Sequence, residues 1–253
     1  MTYSIDKATL IAIADAIRTK TNTVTDLTPL EMPNAILNIA ASSEDMDNLI
    51  NKTITEYASD NLTVVGRYAF FNCMDLTTVD FPNVTNIGYG AFEQCWGLTT
   101  VDFPNVTDIG EAAFYYCKNL VNINFPNVIN IKNDAFYWCR SLEAVVFPSV
   151  LNIGTEAFSG CNSLKTFDSP TVASLGSFAF EDCDVLETVI LRKSDSICTL
   201  SDTGALSETL IGSGTGYIYV PSALIDEYKA ATNWVTYAEQ IRAIEDYPEI
   251  TGG

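Results

Sequence analysis

The sequence predicts an α/β repeat: a solenoid of short stacked coils, with a helical segment before it and a helical cap after it. Three observations carry this expectation. Six cysteines, Cys73, Cys95, Cys117, Cys139, Cys161 and Cys183, stand 22 residues apart with no insertion or deletion between them. Each is preceded by Ala-Phe, from Ala69-Phe70 to Ala179-Phe180, and followed three residues later by leucine, from Leu76 to Leu186. Then comes an apolar-x-Phe-Pro step, as in Val79 to Pro82, Val101 to Pro104, Ile123 to Pro126 and Val145 to Pro148. A fixed period of this length marks identical supersecondary units stacked side by side, not a globule with one centre.

The elements of one coil follow in order. The Val-x-Phe step has period two, so both side chains lie on one face of a short strand. The proline after it has no backbone N–H and ends the strand. Two further apolar columns follow, Val84, Val106, Val128, Val150, Val172 and Ile87, Ile109, Ile131, Ile153, Leu175. A glycine column (Gly66, Gly88, Gly110, Gly154, Gly176) predicts a turn with unusual backbone angles. Lys132 fills that column once, which argues against a strictly left-handed angle there. The Ala-Phe segment is too short for a helix and fits a single turn. One coil cannot bury these columns, but stacked coils turn each into a continuous ladder. A partial coil precedes the six, with Ile54, Tyr57, Leu62 and Val65 one period before Leu76, Val79, Val84 and Ile87. After Cys183 the pattern decays: Leu186, Val189 and Leu191 keep the strand, Arg192 replaces the proline, and Ile197 keeps one further column.

The L-x-x-V-x-F-P and G-x-x-A-F-x-x-C columns, over about residues 54–200, resemble the leucine-rich repeats of the BspA-like type. The resemblance implies a curved right-handed leucine-rich-repeat solenoid with parallel strands on its concave face. It also implies a bacterial surface, adhesion or host-interaction role.

The chain divides into residues 1–48, a helical N-terminal module and linker; 49–200, the solenoid; and 201–253, a C-terminal strand and helical cap. Asp6 can cap a helix over about 7–19 whose apolar face is Leu10, Ile13, Ala14 and Ile17. Thr28-Pro29-Leu30-Glu31 has the form of a capping box, and residues 41–48 read as a polar linker. The stretch from Ser4 through Ile36 resembles a module at the head of phage and prophage tail-associated proteins. That likeness implies assembly into a virion, or a homo-oligomeric assembly, through these residues. The start at Met1 lacks a basic segment followed by an apolar core, so no signal peptide is expected. Synthesis in the cytoplasm with virion association is the expected location, and the extracellular or cell surface is the alternative. No apolar run reaches the roughly 18 residues that span a bilayer, so no membrane insertion is expected. At the other end, Tyr217–Val220 reads as a last strand stopped by Pro221. Ser222 caps a helix to about Ala231, Asn233-Trp234 turns a corner, and Tyr237–Ile244 reads as a second helix. This run resembles the closing segment found after repeats of the same type. Its task is to cover the open end of the stack.

The chain has no histidine, which removes Ser-His and Cys-His nucleophilic pairs and the usual zinc ligands. Equivalent cysteines on neighbouring coils lie roughly 5 Å apart with parallel side chains, a geometry that disfavours a disulfide. Free buried thiols acting as small apolar residues are expected. Gly212–Gly216 is glycine-rich but precedes a strand and lacks a Lys-Ser/Thr pair, so it reads as a loop. A formal charge of −19 argues against a nucleic-acid partner. The sequence thus predicts no enzyme, no cofactor and no resident metal.

Two surface ladders remain. Asp80, Asp102, Asn124 and Asp168 lie between the two strand columns and point outward on the concave face. They could hold calcium or form a solvated acidic rim, and Asn124 and Val146 interrupt the series. A glycosidase pair would need a cleft around it, which a solenoid face does not supply. The second ladder flanks the cysteines: Phe71, Trp96, Tyr115, Tyr116, Tyr137 and Trp138. These rings either fill the corners between coils or form an exposed strip for a glycan or a protein partner. Polar residues at equivalent places, Asn72, Gln94, Gly160 and Asp182, argue for exposure. The expected function is non-enzymatic protein or glycan binding as part of a phage or prophage tail, with bacterial adhesion or host interaction as the alternative.

Overall fold

The computed structural model describes residues 54–251. The expected helix over about 7–19, the Thr28 capping box and the tail-like opening lie outside the described residues.

Each coil contributes one strand to each of two parallel ladders. The first ladder uses the Val-x-Phe segments and is hydrogen-bonded in three stretches. Glu56–Ala58 pairs Thr78–Asp80, Thr100–Asp102 pairs Asn122–Asn124, and the last five strands run from Ala144–Val146 to Ile241–Ala243. The second ladder has seven two-residue strands, from Val64–Val65 to Thr199–Leu200. Register follows the repeat: Val101 faces Ile123, and Ile131 faces Ile153. Side chains alternate as a strand requires, with Val101 buried between exposed Thr100 and Asp102.

Between the ladders the apolar columns stack into a single core. Phe70, Phe92, Phe114, Phe136, Phe158 and Phe180 form a file of nearly parallel rings, with centroids 5.1–5.4 Å apart. The second file, Phe81, Phe103, Phe125 and Phe147, leans against the first at 5.8–6.2 Å. In the next coil Phe167 moves to the position of the valine and meets Phe180 at 5.0 Å. Phe167 thereby fills the space left where the Phe column ends.

All seven cysteines are free and buried, the six on the period as their spacing predicts. They do more than pack. The thiols of Cys95, Cys117, Cys139, Cys161 and Cys183 each donate to a backbone carbonyl of the preceding coil, from Phe70 to Phe158, at 3.0–3.3 Å. A purely apolar residue of the same size would leave those carbonyls a partner short. Burial pushes thiols up, Cys198 to about 12, and Cys117, Cys139, Cys161 and Cys183 above the ordinary thiol value. At neutral pH they are neutral donors and poor nucleophiles.

The glycine column has a different cause from the one its composition suggests. None of Gly88, Gly110, Gly154 and Gly176 has a positive φ. They are needed for close approach: a Cβ on Gly110 would stand 2.6 Å from Gly88 C, and one on Gly176 2.5 Å from Gly154 C. Left-handed angles occur elsewhere in the corner, in two columns. One contains Tyr68, Ala112, Asp134, Glu156 and Phe178; the other contains Asn72, Gln94, Tyr116, Trp138, Gly160 and Asp182.

The last coil also departs from expectation. Leu200, not Ile197, pairs with Leu175, because residues 192–199 carry an insertion relative to the period. Ala205 then accepts the bond from Phe180 N that an Ala carbonyl accepts in earlier coils. The C-terminal segment has a short α-helix, Ile225–Ala230, near the expected place. The second expected helix, Tyr237–Ile244, is instead a 3-10 turn, Trp234–Gln240, followed by the strand Ile241–Ala243. That strand extends the first ladder beyond Tyr217–Val220, because free strand-edge groups offer it partners that a helix would leave unmet. Buried Tyr228 and Trp234 hydrogen-bond Cys198 N and Cys198 O at 2.7 Å, closing the exposed edge of the last coil. No helix among the described residues is long and apolar enough to cross a membrane.

Candidate binding surface

The corner of each coil is a six-residue turn closed by i to i+3 bonds, such as Cys117 N to Phe114 O at 3.0 Å. Alternate residues donate to the next coil instead: Tyr116 N to Tyr137 O and Trp138 N to Ser159 O, both 2.8 Å. This alternation forces the left-handed angle at Tyr116 and Trp138, each at φ 58°. For bulky residues that conformation costs on the order of 1 kcal/mol. It also accounts for the neighbours in the column. Asn72, Gly160 and Asp182 are there because Gly, Asn and Asp adopt such angles most easily. Their polarity reports backbone geometry, not simply exposure.

All six sequence-predicted aromatics are half-buried. Tyr115, Tyr116, Tyr137 and Trp138 form one cluster. Tyr115 and Tyr137 stack at 4.8 Å with planes 10° apart, and Tyr116 meets Trp138 at 5.4 Å. Trp138 is the least available of them. Its ring lies against Gly160, where an added Cβ would come within 2.3 Å of it, and the Arg140 guanidinium covers it at 4.0 Å. Trp96 stands apart under Lys118 at 3.8 Å, and Phe71 packs edge-on to Tyr68 at 5.5 Å. Trp96 and Trp138 thus each lie under a cation of this chain. Tyr115 and Tyr137 remain as a ring pair without such a cover.

Carboxylates surround this pair. Burial raises Glu93, and Asp134 is raised by burial and then by Glu156 and Glu111. Glu181 is raised by burial and then by Asp182 and Glu156. Tyr115 is pushed up to about 12 by burial and the charges around it. For these acids the folded state holds its proton more readily than the unfolded chain. Their contribution is then fully present below the ordinary carboxylate values and lost as pH rises through the raised ones. Asp195 and Glu245 are shifted the opposite way, but both are exposed and count for little. The thermal midpoint is expected to rise as pH falls from neutral towards the ordinary carboxylate range, and Asp134→Asn to flatten that slope. A midpoint that stays level or falls over this range would show that burial and repulsion at the corner do not raise these carboxylates.

The outward acidic ladder does not behave as one site. Asp80 and Asp102 are exposed, and Asn124 Nδ2 donates to Asp102 at 2.9 Å. Asp168 is taken by Arg192 through two 2.8 Å bonds, and Arg192 also holds the carbonyl of Ile250. Val146 is 66% exposed and Ile190 is buried by Tyr219 and Ile244, so the column changes character from coil to coil. Among the described residues no three His, Cys, Asp or Glu side chains converge as a metal set.

Two features escaped the sequence reading. An amide ladder runs along the second sheet, Asn130 to Asp108, Asn152 to Asn130 and Ser174 to Asn152, each at 2.9 Å. The repeated Asn at that column was its signal. A shallow depression lies over Gly88 and Gly110, lined by Asn86, Tyr89, Asp108, Glu111 and Lys132. It forms where the glycines leave no side chain.

Parallel ladders, a buried Phe–Cys interior and variable corners define a leucine-rich-repeat solenoid. The model of the BspA type leucine rich repeat region matches residues 48–148 and 129–203, in 6 copies. The chain belongs to that family. Among solved structures it is similar to a leucine-rich repeat protein from Eubacterium ventriosum, with 25% identity and a TM-score of 0.56, covering 62% of this chain and 43% of that one. It is also similar to the T. pallidum leucine-rich repeat protein, at 38% identity and a TM-score of 0.42, covering 44% of this chain and 53% of the other. A third is a leucine rich cell surface protein from Faecalibacterium prausnitzii, at 20% identity and a TM-score of 0.45, covering 76% and 73%. The chain thus spans about half the length of the treponemal relative. No curated protein matches it.

Proposed function

We propose that the chain is a non-enzymatic recognition protein that presents the corner face of its coils to a protein partner. One observation carries this. Interior columns repeat Phe, Cys and Leu from coil to coil, while the adjoining corner column runs Asn72, Gln94, Tyr116, Trp138, Gly160, Asp182. Packing dictates the first set, and packing alone does not call for Tyr116 and Trp138 in the second, clustered with Tyr115 and Tyr137 of the column before it. Stacked repeats of this kind offer extended surfaces suited to protein ligands. A glycan is the less favoured ligand, because the two tryptophans a sugar would stack on are covered by Lys118 and Arg140.

Two settings have equal support. The likeness of Ser4–Ile36 to tail-associated modules favours a phage or prophage particle, with the opening residues docking to it. Membership of the repeat family favours adhesion or host interaction at a bacterial surface. Mass spectrometry of induced particles against washed cell surfaces separates them.

The surface itself is tested with a partner isolated on the immobilised chain and then purified. Tyr116→Ala with Tyr137→Ala is expected to weaken its binding by about 2 kcal/mol or more, the size of an interface hot spot. Circular dichroism establishes that the variant is folded. Unchanged affinity in a folded variant would move the contact away from the corner.

A further inference from the structure

We infer that the partner seats a cationic segment, a run of Lys or Arg side chains, on the Tyr115–Tyr137 pair between the carboxylates around it. This rests on the recognition role proposed above and names the chemistry of what is recognised.

The chain shows the pattern three times along the same corner face. Arg67 lies over Tyr89 at 4.5 Å, Lys118 over Trp96 at 3.8 Å and Arg140 over Trp138 at 4.0 Å. A cation over an aromatic face is attracted by the ring's negative quadrupole. Tyr115 and Tyr137 are the closest stacked pair on this face, 4.8 Å apart, and among the described residues no Lys or Arg stands over either ring. They also lie within reach of several carboxylates. Tyr115 feels Asp134 and Glu93, and Tyr137 feels Glu156 and Asp134. Among the described residues the ion pairs are Arg192 with Asp168 and Lys193 with Asp195, so none of these three carboxylates is neutralised by one. The site therefore has the rings and the charge of its neighbours' cation contacts without the cation. A protein segment bearing Lys or Arg complements it in both respects, and it offsets the repulsion from Glu156 and Glu111 that, after burial, raises Asp134. The net charge of −19 adds long-range steering towards such a partner.

The probe is a fluorescein-labelled peptide of alternating arginine and serine, titrated into the full chain near physiological ionic strength. Saturable binding is expected, about tenfold weaker in Asp134→Asn with Glu156→Gln and in Tyr115→Ala with Tyr137→Ala. It is expected to be kept in Tyr137→Phe, which preserves the ring face, and in Asp80→Asn with Asp102→Asn, which removes the same charge from the outward sheet. Equal loss in the two acid pairs would mean that the peptide follows net charge alone, and the inference would fall. No binding to the parent chain would overturn it outright. Should the double tyrosine variant lose its native circular dichroism, the acid pairs and Tyr137→Phe decide. A purified partner that needs Tyr137 but is not displaced by the peptide leaves the recognition role standing and removes only its cationic chemistry.

Discussion

Phe136→Ala is expected to destabilise the chain by about 3–5 kcal/mol, the cost of emptying a large aromatic site in a packed core. Phe136 is fully buried and central in the ring file, 5.1 Å from Phe114 on one side and 5.1 Å from Phe158 on the other. Phe125 touches it at 6.2 Å from the second file. Removing the ring takes away a stacking partner in both directions. The neighbours cannot close the gap, because coil-to-coil backbone bonds hold each corner in place, Phe114 N to Ala135 O and Phe158 N to Ala179 O at 2.8 Å. In a solenoid each coil contacts only its neighbours, so the lesion also weakens the coupling between the two halves. Chemical denaturation followed by circular dichroism should show a lower midpoint, and the single transition should broaden or split. Val146→Ala, at a position 66% exposed, is the control and should change little. A Phe136→Ala loss below about 1 kcal/mol would mean that the file is not the main source of coil-to-coil stability.

Gly176→Ala is expected to cost about 1–3 kcal/mol, by overpacking and without the loss of any contact. The new methyl would stand 2.5 Å from Gly154 C and from Thr155 N, both backbone atoms that cannot rotate away. The coils would have to move apart. The chain already contains this experiment in milder form. Lys132 occupies the same column, and its N–H reaches Ile109 O at 3.1 Å, where Gly88, Gly110, Gly154 and Gly176 make the equivalent bond at 2.8 Å. One side chain in the column is thus accommodated by a local stretch. Thermal melts of Gly176→Ala should show a lower midpoint, and exchange of the Gly176 amide should quicken. A midpoint equal to the parent's would show that the stack can open at this corner without cost.

Much of this architecture was legible in the sequence because it is repetitive. Cys73 to Cys183 set the coil length, Val79 and Phe81 the strand face, and Pro82 its end. The chemistry of individual columns was less legible. Gly110 and Gly176 looked like turn residues, yet their backbone is ordinary and their role is to let neighbouring coils approach. Asp182 and Gly160 looked like signs of exposure, yet they occupy a left-handed position. Trp96 and Trp138 read as either corner filler or part of an exposed strip, and only the structure places Lys118, 22 residues on from Trp96, and Arg140, two residues on from Trp138, over their rings. Composition at a column cannot separate these causes, since glycine serves both a positive φ and a tight contact.

The sequence by itself determined the coil, its period, the buried Phe and Cys columns and the absence of histidine chemistry. These depend on spacing and residue type, which a chain states outright. Only the tertiary structure decided which rings are covered, which carboxylates stand unpaired and where the last coil slips its register. Those outcomes depend on what each residue meets one coil away. A partner 22 or 25 residues distant is placed by backbone angles and close packing, which no local pattern records.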